Sequence, residues 1–179
     1  MSAEDTLSRF LAKKPRISEG VFIAPSAVVV GDVRLGKNSS VWYNSVLRAD
    51  INYISIGEET NIQDSVIGHV ANELPLLVGK QVTVGHGAVI HACTIEDECL
   101  IGMNATVLDG VRIGKQSIVA AGAVVPVGTQ VPDGSLVAGV PGRIKRTLTD
   151  SQRSSLAGWA EKYLLVSKAH QSLGYQKYV

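Results

Sequence analysis

The chain has 179 residues, 17 of them basic and 16 acidic, so its net charge of +1 carries no electrostatic footprint for nucleic acid. Hydrophobic residues make up 45% and charged ones only 18%, yet no apolar run approaches the ~18–20 residues that span a bilayer. Two cysteines, Cys93 and Cys99, are too few for a disulfide framework and read as small buried thiols.

Residues 1–20 read as an N-terminal extension. "MSAEDTLSRFLAKKP" lacks a signal-peptide core, and its early acids argue against an import sequence, which points to a soluble cytoplasmic protein. From residue 21 to about 145 an aliphatic residue recurs every six positions. Ile23, Val29, Leu35, Val41 and Leu47 keep the beat, then Ile56 and Ile62, and later Val78, Val84 and Ile90. After a one-residue slip it runs unbroken from Ile95 to Val137. Four residues after most of these sits something small or β-branched, such as Val33, Ser45, Ala88, Cys99 or Ser117, and a glycine often follows the aliphatic directly.

A period of six suits neither a plain helix nor simple strand alternation. It suits a coil of short strands joined by sharp corners, because the aliphatic and the small residue four later share parity and both face inward. Large and small positions then fill a narrow prism without voids, and glycine tolerates the backbone angles of turns. Hexapeptide repeats of this kind predict an all-β parallel β-helix. The pattern resembles the left-handed triangular form, with three hexads per turn. Residues 146–179 change character. Leu156, Trp159, Ala160, Tyr163 and Val166 fall at helical spacing, so the chain predicts one helix from about 150 to 172, capped by Thr149 or Asp150, packed along the prism and ending near Gly174.

A repeat protein places function where its repeat breaks. The step from Leu47 to Ile56 is nine and contains Arg48 and Asp50; sixteen residues separate Ile62 from Val78 and include Gln63, Asp64 and His69. The slip between Ile90 and Ile95 lies beside His86 and His91. Three of the four histidines therefore gather at irregularities, and only His170, in the C-terminal helix, does not. Three histidines without a fourth protein ligand describe an open catalytic zinc site, although Fe²⁺ or Co²⁺ suits the same imidazoles. The alternative is that they are separate polar residues on a solenoid surface. His86 and His91 are five apart, a spacing that points two side chains in different directions on a strand.

"RAD" followed by "ISIG", "NIQD", a histidine five residues after Asp64, and "GHGAVIHACTI" together resemble the gamma-class carbonic anhydrases over roughly residues 15–170. "IGMNATVLDG", "IVAAGAVV" and "LVAGVPGRIKR" add to the likeness. The resemblance implies reversible hydration of CO2 to bicarbonate by a homotrimer with zinc at each subunit interface. His69 and His91 of one chain would meet His86 of the next. It implies that Gln63 orients the reacting oxygen, that Arg48, Asp50 and Asp64 form interface networks, and that Tyr163 overhangs the site; ordinary packing is the other reading of Tyr163. One departure concerns the proton path: family archetypes carry a glutamate where this chain has Ile51, and the segment from His69 to His86 is too short for their acidic loop. Regeneration would then fall to buffer or to water positioned by Asn52, with Glu58, Glu59 and Glu73 in reserve. A hexapeptide acyltransferase, a non-catalytic trimeric scaffold and another metal hydrolase are the competing functions.

Overall fold

The structure, a computed structural model, describes residues 2–173. The chain winds into a parallel β-solenoid whose inward aliphatics stack in three columns. On the first face Leu35, Ile56, Val78, Ile95, Ile113 and Val131 lie in register. Val41, Ile62, Val84, Ile101, Val119 and Val137 form the second, and Val29, Leu47, Gly68, Ile90, Val107 and Val125 the third. Apart from the terminal Val29, the aliphatics of these columns are buried, as are the small residues between them, including Ser39, Ser45, Thr60 and Ser117. Hydroxyls survive inside because they bond backbone of an adjoining coil: Thr60 Oγ1 donates to the Gly79 carbonyl at 2.7 Å and Ser117 Oγ to that of Pro132 at 3.2 Å.

The corners fall on the third residue after each aliphatic and require positive φ. Asn38, Asn44 and Asn104 (φ 56–61°) take this position, as do Gly110, Gly122 and Gly128 (φ 67–72°). The glycines that directly follow an aliphatic have another purpose. A Cβ on Gly57 would lie 2.4 Å from the backbone of Gly79, and one on Gly102 would lie 2.4 Å from the Ala121 nitrogen. Those glycines let successive coils stack closely; they are not the turns that the repeat alone suggests.

The breaks in the beat also take a definite form. Gly68 occupies an inward position, where a Cβ would press on Leu47 and Leu76, so the beat continues past Ile62 unseen by a hydrophobic count. The true interruption is the loop between His69 and Leu76. The nine-residue step is a bulge inside one long strand, Val46–Ile56. Gly31 pairs with Ala49 and Val33 with Ile54, which leaves the Asp50–Tyr53 stretch opposite Asp32 alone. At the third break, Ala92 (φ 45°) makes a corner one residue early.

Among the described residues three helices flank the solenoid. α1 (Ala3–Phe10), which the repeat analysis does not anticipate, starts with a capping box between Ser2 and Asp5. The C-terminal helix is two pieces, α2 (Asp150–Ser154), capped by Thr149, and α3 (Ala157–Leu173). They separate where Ser154 and Ser155 turn their hydroxyls back onto the carbonyls of Ser151 and Gln152. The expected end near Gly174 lies outside the described residues. Leu156 and Ala160 are buried as their spacing predicts, but Trp159 is 48% exposed. Among the described residues no helix is long and apolar enough to cross a membrane.

The bulge buries Asp32 (2% exposed) among Lys13 Nζ at 2.7 Å, Arg16 at 3.2 Å and Arg34 at 3.5 Å. Burial alone would raise this carboxyl, but the three cations outweigh it and hold it below the usual range. A depressed folded-state pKa stabilises above the unfolded value and is lost as pH falls through the folded one. Asp32→Asn is therefore expected to cost about 1–2 kcal/mol near pH 6, screened because the cations are half exposed. The gap to the wild type should begin to narrow as pH falls below about 4 and close only once the folded-state carboxyl is itself protonated. Urea midpoints taken down from about pH 6 check this; a gap that does not narrow as pH falls would refute the electrostatic assignment.

Candidate metal centre

The solenoid's register brings the predicted residues to two neighbouring corners. Arg48, His69 and His91 each follow the inward residue of the third face, and they are paired strand to strand, Arg48 with His69 and His69 with His91. Their side chains therefore leave the prism at one corner. Asp64 and His86 stand two residues beyond Ile62 and Val84, which pair on the second face, so they stack at the other edge of the third face. Among the described residues, no three of His, Cys, Asp and Glu converge within one chain to hold a metal.

At the first corner His69 Nδ1 lies 3.0 Å from His91 Nε2. The remaining nitrogens face carboxylates: His69 Nε2 is 3.0 Å from Asp50 Oδ1 and His91 Nδ1 is 2.5 Å from Asp109 Oδ1. Asp50 also pairs with Arg48. Burial would raise the Asp50 carboxyl, yet His69 and Arg48 hold it below the ordinary range. At the second corner His86 Nδ1 is 2.8 Å from Asp64 Oδ2. Each histidine thus has one nitrogen oriented by a carboxylate, the arrangement that fixes ring and tautomer in metal sites. Three imidazoles with nitrogens left over suit zinc. Two nitrogens on one tetrahedral zinc lie about 3.3 Å apart, close to the 3.0 Å between His69 and His91.

Gln63 is buried, and its Nε2 donates to Asn61 Oδ1 at 3.1 Å while Asn61 donates to Thr83 Oγ1 at 2.9 Å. That chain fixes the amide and directs Oε1 the other way. Tyr163, carried in on α3, places its hydroxyl 3.5 Å from His86 Nε2; burial first, and the Asp64 charge second, push its pKa up, so it stays a neutral phenol. His170 is distant in role. Its Nδ1 meets the Tyr43 hydroxyl at 2.9 Å and its ring packs on Trp42 at 5.0 Å, which pins α3 to the prism.

Asn52 has both its amide donors committed to the protein. Both its amide hydrogens go to the Ala71 and Asn72 carbonyls and its oxygen accepts from the Tyr53 N–H, clamping the loop after His69. Ile51 packs against the prism core. Burial pushes both Cys93 and Cys99 up to about 12, so neither is a thiolate ligand. Asp109 is the site residue that sequence reasoning misses. Its one signal is the coil length: it stands eighteen residues after His91, one coil further on.

Two stretches match family models: residues 93–126 the hexapeptide repeat of succinyl-transferase, and residues 14–49 the bacterial transferase hexapeptide of six repeats. The chain is 46% identical over 178 residues to gamma carbonic anhydrase 2, mitochondrial, of Arabidopsis thaliana, with 96% of this chain and 64% of that one covered. It therefore spans just under two thirds of that relative's length. Identity is 47% over 156 residues to a protein of Methanocaldococcus jannaschii named "Probable carbonic anhydrase", with 87% and 98% covered. A crystal structure of a hexapeptide transferase family protein from Anaplasma phagocytophilum superposes with a TM-score of 0.83 at 38% identity, covering 87% of this chain and 92% of that one.

Proposed function

The chain belongs to the gamma carbonic anhydrase family, and from that premise we propose that it hydrates CO2 reversibly to bicarbonate as a zinc-dependent homotrimer. The observation that carries this reading is the division of the donors: His69 and His91 converge at one corner while His86 waits at the other edge of the same face. His69 and His91 of one chain and His86 of its neighbour would hold the ion, Zn²⁺ or else Fe²⁺ or Co²⁺. When bound, the ion supplies the Lewis acidity that makes water a nucleophile near neutral pH.

Three prisms with their third faces turned to a common axis would bring unlike corners together at each contact. The outward side chains of that face favour this packing. Val28, Val46, Ile67, Val89, Thr106 and Val124 lie in register as a nearly unbroken apolar stripe, whereas the same positions on the first face include Arg34, Ser55, Thr94, Arg112 and Gln130. A closed threefold ring buries such a stripe completely.

The protein's own groups then divide the work. Asp50, Asp109 and Asp64 hold the three imidazoles in orientation, and Arg48 steadies Asp50. Gln63 Oε1 accepts a hydrogen bond from the hydroxyl of water or bicarbonate, and the Tyr163 phenol donates to a substrate oxygen beside His86. Each turnover must also export one proton. Of the reserve carboxylates, only Glu73 sits on the loop that follows His69; Glu58 and Glu59 belong to the corner between the first and second faces.

Proton export is therefore expected to limit turnover. In stopped-flow CO2 hydration, raising an imidazole-type buffer from about 1 to about 50 mM should increase kcat by about tenfold and leave kcat/KM for CO2 nearly unchanged. A high, buffer-independent kcat would mean that the protein holds its own shuttle, and absence of hydration at full metal loading would defeat the anhydrase reading. The acyltransferase reading draws on the likeness to the Anaplasma transferase-family protein; consumption of acetyl-CoA by metal-free protein would favour it. A cytoplasmic location belongs to the same proposal, and because the Arabidopsis relative is mitochondrial by name, cell fractionation is its test.

A further inference from the structure

A cavity that no histidine of the metal centre lines opens where α1 packs on the bulged strand Val46–Ile56, and it encloses about 490 Å³. That volume lies within the range that holds drug-sized ligands. Thr6, Arg9 and Phe10, at positions i, i+3 and i+4 of α1, share one wall. Ile51 and Tyr53 of the bulge, with Arg34 from the adjoining coil, line another. The cavity is richer in cations than its own carboxylates require. Asp32, 2% exposed, is met by Lys13, Arg16 and Arg34, so one buried negative charge has three positive neighbours. Arg9 has no ion pair among the described residues, and its guanidinium stands 5.4 Å from the centre of the Phe10 ring. Arg34 is left least satisfied. Its link to Asp32, at 3.5 Å, is the longest of the three, and its Nε is buried without any hydrogen-bond partner. A buried N–H with nothing to bond is rare in a folded protein.

The same cations lie against flat rings. The Arg34 guanidinium is 4.4 Å from the centre of the Tyr53 ring, and Lys13 Nζ is 5.2 Å from that of Phe10. Surplus positive charge beside two aromatic walls, in a space too large for a simple ion, is complementary to a nucleotide. We propose that this cavity binds a nucleoside monophosphate, its phosphate held by Arg9, Lys13 and Arg34 and its base stacked between the Phe10 and Tyr53 walls. Aromatic rings and arginine planes both accept a stacked base, and a guanidinium meets phosphate oxygens with paired N–H groups. Glu73, exposed on the lining, supplies an acceptor for a sugar hydroxyl. The site goes beyond the anhydrase reading and does not depend on it, because no metal-centre residue takes part. An occupant would nevertheless steady the ground next to that centre. Asn52 of the same bulge clamps the loop that follows His69, so a ligand wedged between α1 and the bulge holds helix, bulge and loop together.

The zinc-loaded full chain is titrated calorimetrically with AMP, UMP, adenosine and inorganic phosphate, and its amide hydrogen exchange is followed with and without AMP. Both nucleotides should bind saturably, with adenosine and phosphate each at least about tenfold weaker. Affinity should fall as NaCl rises from about 50 to about 500 mM. Exchange should slow in Ala3–Phe10, in residues 50–53 and in residues 71–75. Arg9→Ala, at an exposed helix position, should weaken AMP binding about tenfold. Arg34→Lys keeps the charge beside Asp32 but loses Nε and the planar group, and should weaken it by about as much. Phosphate or adenosine binding as tightly as AMP refutes a site built from both cations and rings. Protection confined to the strands Ile67–His69 and Val89–His91 places the anion on the metal and overturns the inference. So does an absence of binding at about 5 mM AMP, or a Kd that neither Arg9→Ala nor Arg34→Lys changes. Protein that binds AMP as described but hydrates no CO2 would support the nucleotide site while defeating the anhydrase reading alone.

Discussion

His86→Ala and His91→Ala proteins are each expected to purify almost free of zinc and without CO2 hydration, and to recover both when combined in one trimer. Either substitution leaves every site one donor short. Perturbing an orienting partner alone weakens metal binding about 10–100-fold, so loss of a ligand should weaken it by at least about 100-fold. The two variants are complementary only if the donors come from different chains. His69 and His91 share a corner and His86 does not, so a His91→Ala chain still presents an intact His86 to its neighbour. With random mixing, about a quarter of interfaces join an intact His86 to an intact His91, and zinc content and activity should return to about a quarter of the wild-type level. Verified mixed trimers that stay metal-free would show that one chain builds the whole site.

A large stability effect is expected at Gly57. Its φ is ordinary, yet an added Cβ would stand 2.4 Å from the carbonyl carbon and oxygen of Gly79 and 2.6 Å from the Lys80 nitrogen. Backbone cannot rotate away as a side chain can, so Gly57→Ala must force adjacent coils apart at the level of the strand Val46–Ile56 that carries Arg48 and Asp50. A cost of about 3 kcal/mol follows from overpacking, which lowers Tm by about 6–12 °C in a chain of this size. Gly128 provides the contrast. It lies at a corner with φ of +72° and nothing within 4 Å of an added Cβ. Gly128→Ala should cost only about 1 kcal/mol, from the left-handed backbone alone. Gly128→Asn should be nearly neutral, because asparagine already makes three corners of this solenoid. Equal losses at Gly57 and Gly128 in thermal melts would show that turn angle, not coil contact, governs both.

Much of the architecture is legible in the periodicity. A six-residue beat of aliphatics with small residues four later is a direct imprint of a prism interior, because every coil repeats the same local environment. The pieces that escape are those whose signal is not apolar. Gly68 keeps the inward register with no side chain to reveal it. α1 shows itself only by the Ser2–Asp5 capping box, and two serines that bond their own helix divide α2 from α3.

The chain's sequence alone determined which residue types could do chemistry: three histidines at the breaks, the amide of Gln63 at one of them, and Cys99 on an inward position that offers little to a metal. The odd spacing of His86 and His91 also suggested that they diverge, although the reason is not strand parity: a corner at Gly87 and the strand Val89–His91 lie between them. Tertiary structure alone decided who meets whom. Asp109 reaches His91 because eighteen residues make one coil there, and Asp50 reaches His69 because the bulge opposite Asp32 turns it toward the next strand. Asn52 gives its two amide hydrogens to carbonyls that the coil places against it. Tyr163 reaches His86 from 77 positions away because α3 is pinned to the prism by His170, Trp42 and Tyr43. Such contacts depend on coil length and helix docking, sums over many residues, and a single misplaced corner would shift them all.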